Sequence, residues 1–183
     1  MPSSDEDLLK DSLGERPQAF EELIVRYERR VYGLIHRLCG RPQDAQDLFQ
    51  VVWMQAFAGR ASFQSRSKFS TWLYAITLNQ VRDWRRKQAQ QGQRRGPLHH
   101  EPVDPKPGLL ERLLKRDEER RLKVALRTLS ATDQEMLALY YLQDLDYREI
   151  AAVTGKAVGP LRVQVHRALQ RLREALEGHE DQG

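Results

Sequence analysis

A single cysteine, Cys39, stands in 183 residues, so no internal disulfide can brace the chain. A lone thiol fits a reducing compartment, and the cytoplasm is the expected location. Uninterrupted apolar runs are short, and none approaches the roughly 18 residues that a membrane span requires. The start, Met1-Pro2-Ser3-Ser4-Asp5-Glu6-Asp7, is acidic and lacks the basic opening and apolar stretch of a signal peptide. No Gly-rich phosphate loop and no nucleophile motif occur. Cys39 with His36 is the closest pair to metal-ligand spacing, and His99-His100 stand in a proline-rich stretch. A zinc site usually takes four ligands in organised spacing. The expectation is therefore no catalysis, no resident metal and no cofactor, with Cys39 a small buried residue at a helix end.

What is present is charge, unevenly spread. Charged residues make up 31% of the chain and apolar residues 40%, which suits small helical domains with thin cores. The net charge is only +4. Residues 1–22, however, hold seven acids against two bases, Lys10 and Arg16. The stretch 82–96 reverses this, with Arg82, Arg85, Arg86, Lys87, Arg94 and Arg95 against Asp83 alone. From Lys156 to Arg173 five bases occur and no acid. Two separated basic segments predict two places for a polyanion, set against the plainer reading of solvated helix faces.

The apolar period is helical nearly throughout, which predicts an all-α fold. Phe20, Leu23, Ile24, Tyr27, Val31, Leu34, Ile35 and Leu38 share one face of a long helix that Pro17 opens and Gly40 stops. Pro42 starts a second helix with Ala45, Leu48, Phe49, Val52 and Ala56 inward and Gly59 past its end. Residues 60–69 read as a loop, and Ser70 as the N-cap of a third long helix. Residues 88–108 read as an interdomain linker, because Pro97, Pro102, Pro105 and Pro107 forbid a continuous helix. Leucines from Leu109 to Leu129 mark a helix of about five turns. Thr132 with Glu135, and Asp146 with Glu149, have the spacing of capping boxes. Gly155 and Pro160 then make residues 146–153 and roughly 159–177 a helix-turn-helix.

Such a motif lays its second helix in the major groove. Lys156, Arg162, Val163, Gln164, His166 and Arg167 lie where base edges and phosphates are met, Arg suiting guanine and Gln adenine. The earlier basic segment suits unpaired nucleotides instead. Aromatics from Phe63 onward lead into Lys68, Asn79, Arg82, Arg85 and Arg86, so that rings can stack on bases while Arg follows phosphates. Trp72, Leu73 and Ile76 read as core.

Three segments resemble a known family. Phe69-Ser70-Thr71-Trp72-Leu73-Tyr74-Ala75-Ile76-Thr77-Leu78-Asn79, with Asp83 and Arg85-Arg86, is similar to the promoter-melting segment of the sigma-70 family's extracytoplasmic-function branch. Asp44-Ala45-Gln46-Asp47-Leu48-Phe49-Gln50, running on to Trp53, resembles that family's polymerase-gripping helix. Leu145 to Gly155 with His166-Arg167-Ala168-Leu169 resembles its C-terminal promoter-reading domain. The resemblance spans about residues 5–178. It implies a transcription initiation factor of two helical domains joined by a flexible linker: 1–87 binding core polymerase and melting the −10 element, linker 88–108, 109–178 reading the −35 element, and tail 179–183. It further implies core RNA polymerase as partner, through the clamp of its largest subunit and the flap of the second-largest. Promoter DNA and a cognate anti-sigma protein follow as further partners. Asp44, Asp47, Leu48, Gln50 and Trp53 are the polymerase contacts so implied. A base extruded at the −10 element is implied to enter a pocket of the 60–70 loop and Asn79.

Three residues depart from the pattern. Val51 stands where an acid usually follows Gln50. Pro160 and Val163 stand where the recognition helix commonly has threonine and a hydroxyl, so an unusual or weakened −35 contact is expected. A stand-alone regulator of operator duplex is the rival reading, and a helical adaptor with merely solvated basic faces is another. The first would need neither the polymerase-gripping helix nor the aromatic melting segment.

Overall fold

The computed structural model describes residues 3–14, 16–63, 67–91 and 109–177, with backbone alone at 91 and 109–118. Among the described residues no strand occurs. The helices are α1 (Asp5–Leu13), α2 (Ala19–Cys39), α3 (Pro42–Gly59), α4 (Phe69–Gln91), α5 (Leu109–Thr128), α6 (Ala131–Leu137), α7 (Tyr147–Thr154) and α8 (Val158–Glu177).

Helix α1 is an element that the sequence reading missed. Ser4 Oγ accepts the Asp7 N–H at 3.1 Å, and Asp5, Glu6 and Asp7 stand at the positive end of the helix dipole. Leu8 and Leu9 are buried on α2. The predicted face of α2 is the core: Phe20, Leu23, Val31, Leu34 and Ile35 are at most 3% exposed. Gly40 ends it in the left-handed region, φ 77°, donating its N–H to the His36 carbonyl. Pro42 opens α3 as expected.

Two caps differ from expectation. Ser70 lies inside the first turn of α4, which begins at Phe69; the Trp72 N–H reaches back to the Lys68 carbonyl at 3.2 Å. The Phe69 N–H is taken by Glu6 Oε1 at 3.1 Å, so the acidic α1 caps α4 through space. Thr132 and Glu135 do not form a box either. Ser130 caps α6 by accepting the Asp133 N–H at 3.1 Å, which leaves Glu135 to turn elsewhere. The second box is present: Asp146 accepts the Arg148 and Glu149 N–H groups, and Glu149 accepts the Asp146 N–H. A π turn at Ala138–Leu142, closed by Gln143 N–H to the Ala138 carbonyl, links α6 to α7. Helix α4 runs to Gln91, four residues into the stretch read as linker; residues 92–108 lie outside the described residues, and with them His99 and His100.

Helices α1–α4 form one bundle, and α5, α6 and α7 pack on α8. The bundles are not held apart. Helix α4 lies along α7, and α2 meets α6 and the π turn. One apolar cluster runs through both, from Leu34 and Leu78 to Met136, Leu139, Ile150 and Leu161. Among the described residues no helix is long and apolar enough to cross a membrane.

Candidate nucleic-acid interface

Helix α4 divides its polar residues between two environments. Asn79 and Arg86 are exposed, Arg86 pairing with Asp83 at 3.0 Å. Arg82 and Arg85 point into the C-terminal bundle. Arg82 donates from Nε and Nη2 to Glu135 Oε2 at 3.0 and 2.8 Å. Arg85 donates to Glu135 Oε1 at 3.3 Å, to the Leu38 carbonyl at 2.7 Å and to Gln134 Oε1 at 3.1 Å. Burial pushes the Arg85 guanidinium down from its ordinary range, and the Glu135 charge pushes back. Lys68, at the mouth of the 60–70 loop, reaches Glu149 Oε1 at 2.7 Å. Phe63 is half-buried, its ring 5.4 Å from Trp72 and 6.3 Å from Phe69. Trp72 and Ile76 are partly buried against the core and Leu73 fully so, which is the structural role expected of them.

The second face gathers on the first two turns of α8. Arg162, Val163, His166 and Arg167 are exposed. The Lys156 ammonium donates to Gln164 Oε1 at 3.0 Å, which fixes that amide and leaves its NH₂ as the free end. The Arg162 guanidinium stands 5.5 Å over the Tyr147 ring, and Tyr147 stacks on Tyr140 at 5.2 Å. Neither tyrosine was singled out from sequence. Their i, i+7 spacing spans the π turn, so no helical face linked them.

The third face lies on α3. Asp47 and Gln50 are exposed, and Asp44 is half-buried beside Arg41. Leu48 and Trp53, expected as polymerase contacts, are core residues at 8% and 6% exposure; the Trp53 ring meets Phe20 at 5.9 Å and Phe49 at 6.2 Å. The apolar side chains that α3 presents outward are Val51, Met54 and Phe57. Met54, 71% exposed, is the most open of them. Spacing of three from Val51 to Met54 to Phe57 was the available signal.

Between the bundles lies a cleft of about 1250 Å³, floored by Trp84, Leu126 and Leu169 and rimmed by Arg29, Arg37 and Lys123. Cys39 is buried at its edge, the thiol pushed up by burial and donating to the Arg41 carbonyl at 3.5 Å. Among the described residues no group of three or more metal-ligating side chains assembles.

Residues 23–91 match the family model described as Sigma-70 region 2, and residues 119–172 the one described as Sigma-70, region 4. The chain is 30% identical over 189 residues to the ECF RNA polymerase sigma-E factor of Escherichia coli, covering 94% of each. It is 31% identical to the ECF RNA polymerase sigma factor SigE of Mycolicibacterium smegmatis, over 88% of this chain and 63% of that protein's length. The sigma factor RpoE of Bartonella quintana, solved in complex with the anti-sigma factor NepR, superposes with a TM-score of 0.71 at 28% identity. That match covers 87% of this chain and 98% of RpoE.

Proposed function

The chain belongs to the extracytoplasmic-function branch of the sigma-70 family, and from that premise we propose how its surface is divided among core RNA polymerase, melted promoter DNA and duplex promoter DNA. It is a transcription initiation factor, and the rival of a stand-alone operator binder is not favoured. The outward face of α3, with Asp47, Gln50, Val51 and Met54, docks on the clamp of the largest polymerase subunit. Asp44 flanks it, while Leu48 and Trp53 hold the helix in place from inside. The polymerase flap is the contact of the C-terminal half. Asn79, Lys68, Arg82, Arg85 and Arg86, with Phe63 at the loop, take the displaced −10 strand: cations follow phosphates, and Asn79 bonds a base edge. Lys156, Arg162, Val163, Gln164, His166 and Arg167 take the −35 duplex. With its carbonyl held by Lys156, Gln164 offers donors, which suits the acceptor edge of guanine better than adenine.

The observation that carries this reading is that one chain holds, in order, a basic, aromatic-flanked α4 and a helix-turn-helix whose second helix exposes Arg162, His166 and Arg167. The boundaries that fit are residues 1–91 for polymerase and −10 contacts, 92–108 as linker and 109–178 for the −35 element. The protein has no catalytic step of its own and works in the cytoplasm, where polymerase is. A cognate anti-sigma protein is its regulator, as NepR is paired with the Bartonella relative. The cleft between the bundles, apolar below and basic at its rim, suits an acidic amphipathic helix of such a partner.

The test is to mix the chain with core polymerase and a promoter library and to sequence the transcript starts. Specific initiation dependent on the chain is expected. Tight sequence-specific duplex binding by the free chain, without stimulation of core enzyme, would sink the proposal.

A further inference from the structure

While the two bundles pack as described, Arg82 and Arg85 are both turned onto Glu135 of the C-terminal half. We infer that the C-terminal half is an intramolecular competitor of melted promoter DNA, with the Glu135 carboxylate standing where a phosphate would bind between Arg82 and Arg85. This rests on the assignment of those arginines to the −10 strand.

Glu135 is 3% exposed, and each hydrogen bond described for its carboxylate comes from α4. One oxygen takes two donors from Arg82 and the other takes Arg85. Guanidinium donors converging on the two oxygens of one anion are equally what phosphate recognition uses. Both Nη groups of Arg85 are engaged, Nη1 by Glu135 and the Ala131 carbonyl and Nη2 by Leu38 and Gln134, so the end that would grip a phosphate is turned into the protein. Glu135 has no capping duty to explain its place, because Ser130 fills that role for α6. Glu149 repeats the arrangement at the loop, holding Lys68. The recess beside Glu135 is lined by Lys156 as well, so the interface also borders the −35 face.

Competition has a thermodynamic consequence. A ligand of the open form alone binds with its intrinsic affinity reduced by the open fraction. Glu135 is the buried charge of the set, and losing it leaves two guanidinium groups facing each other without an anion. The packed form then loses more than the open form does, because in the open form both groups are hydrated. Core polymerase, by engaging each half at its own site, opens the pair in normal use.

The experiment compares wild type and Glu135→Gln as full-length chains, free and with core polymerase. The probe is a fluorescent single strand carrying the −10 sequence found by the promoter library. The free variant is expected to bind the strand roughly tenfold or more tighter than wild type, as a shift from a mostly closed to a mostly open population requires. Small-angle scattering should show it expanded. With core polymerase the two proteins should bind equally. Glu149→Gln, which keeps its capping acceptor, is the second variant should Glu135→Gln not fold, and a gain of about two- to threefold is expected of it, as for a screened exposed pair. Unchanged strand binding by the free variants, with holoenzyme binding intact, overturns the competition and leaves the sigma assignment standing. Failure of wild-type holoenzyme to bind the strand overturns both.

Discussion

Arg85 and Arg86 are neighbours in sequence and opposites in environment: one is enclosed by Leu38, Gln134 and Glu135, the other is exposed beside Asp83. In sequence both are polar residues without an evident core role beside a segment that resembles the melting segment, and nothing local separates them. Asn79 is the cleaner probe, because it is exposed and takes no part in the core. Asn79→Ala should leave stability within about 0.5 kcal/mol, as surface changes do. It should weaken promoter opening by about 1–3 kcal/mol, the scale of one lost base contact. Unpaired thymines probed by permanganate in the holoenzyme complex measure this, and unchanged opening would remove Asn79 from the site. Asp146 makes the pH prediction. Hydrogen bonds from the Glu149 and Arg148 backbone lower its carboxyl below the ordinary 3.8. A depressed acid contributes stability that is complete above its unfolded value and lost as pH falls through the lower folded value. Asp146→Ala should therefore melt below wild type at neutral pH, and the gap should close under strongly acid conditions. Melting curves at pH 7 and near pH 2 decide it; a gap that persists in acid would mean the charge is not the cap's contribution.

Elements were legible where one strong local signal marked them. The face of α2, the Pro42 start of α3, the Asp146 box and the Gly155 stop, φ 71°, all follow from spacing and backbone chemistry. Failures occurred where two residues competed for one role. Ser130 and Thr132 flank the first residue of α6, and only geometry decides that Ser130 Oγ is the cap that accepts the N–H. Helix α1 had Ser4 as its cap and three acids in its first turn, but Leu8, Leu9 and Leu13 were too few to show a period. On α3 the inward reading of Leu48 holds, but the resemblance had also placed Leu48 and Trp53 among the polymerase contacts, and both are buried while Asp47 and Met54 stay exposed. At this scale Pro160 is informative. It sits in the first turn of α8, where backbone N–H groups otherwise face a phosphate, and it has none to give. Pro160→Ser restores a donor at a position that tolerates serine. Binding to the −35 duplex should tighten by about 0.5–1.5 kcal/mol, one hydrogen bond's net contribution. Band-shift titration of the holoenzyme on −35 duplexes measures it, and weaker binding would mean that proline's fixed backbone matters more than the missing donor.

The packing of the two bundles was not legible, and the reason is separation along the chain. Lys68 and Glu149 are 81 residues apart, and Arg82 and Glu135 are 53 apart, each surrounded by charges equally able to pair. No local period links them. What sequence does fix at this scale is reach. With α4 continuing to Gln91, the connecting stretch is 17 residues, or roughly 60 Å fully extended. On the proposed division both bundles engage one promoter at once, so that reach sets the spacing they tolerate. Removing ten residues from 92–108 shortens it by about 35 Å, close to the 34–36 Å of one duplex turn. The shortened chain should still bind the −35 duplex and still associate with core polymerase, because neither requires the second element. Its initiation should fall sharply on the natural spacing. Removing one helical turn of DNA, about 10 base pairs, keeps the two elements on the same face of the duplex and restores the match. Initiation by the shortened chain should then recover in part on the contracted promoter, where the full-length chain has no reason to improve. Equal initiation by both chains at the natural spacing would mean that the connection never becomes taut, and that polymerase alone sets the distance between the two elements.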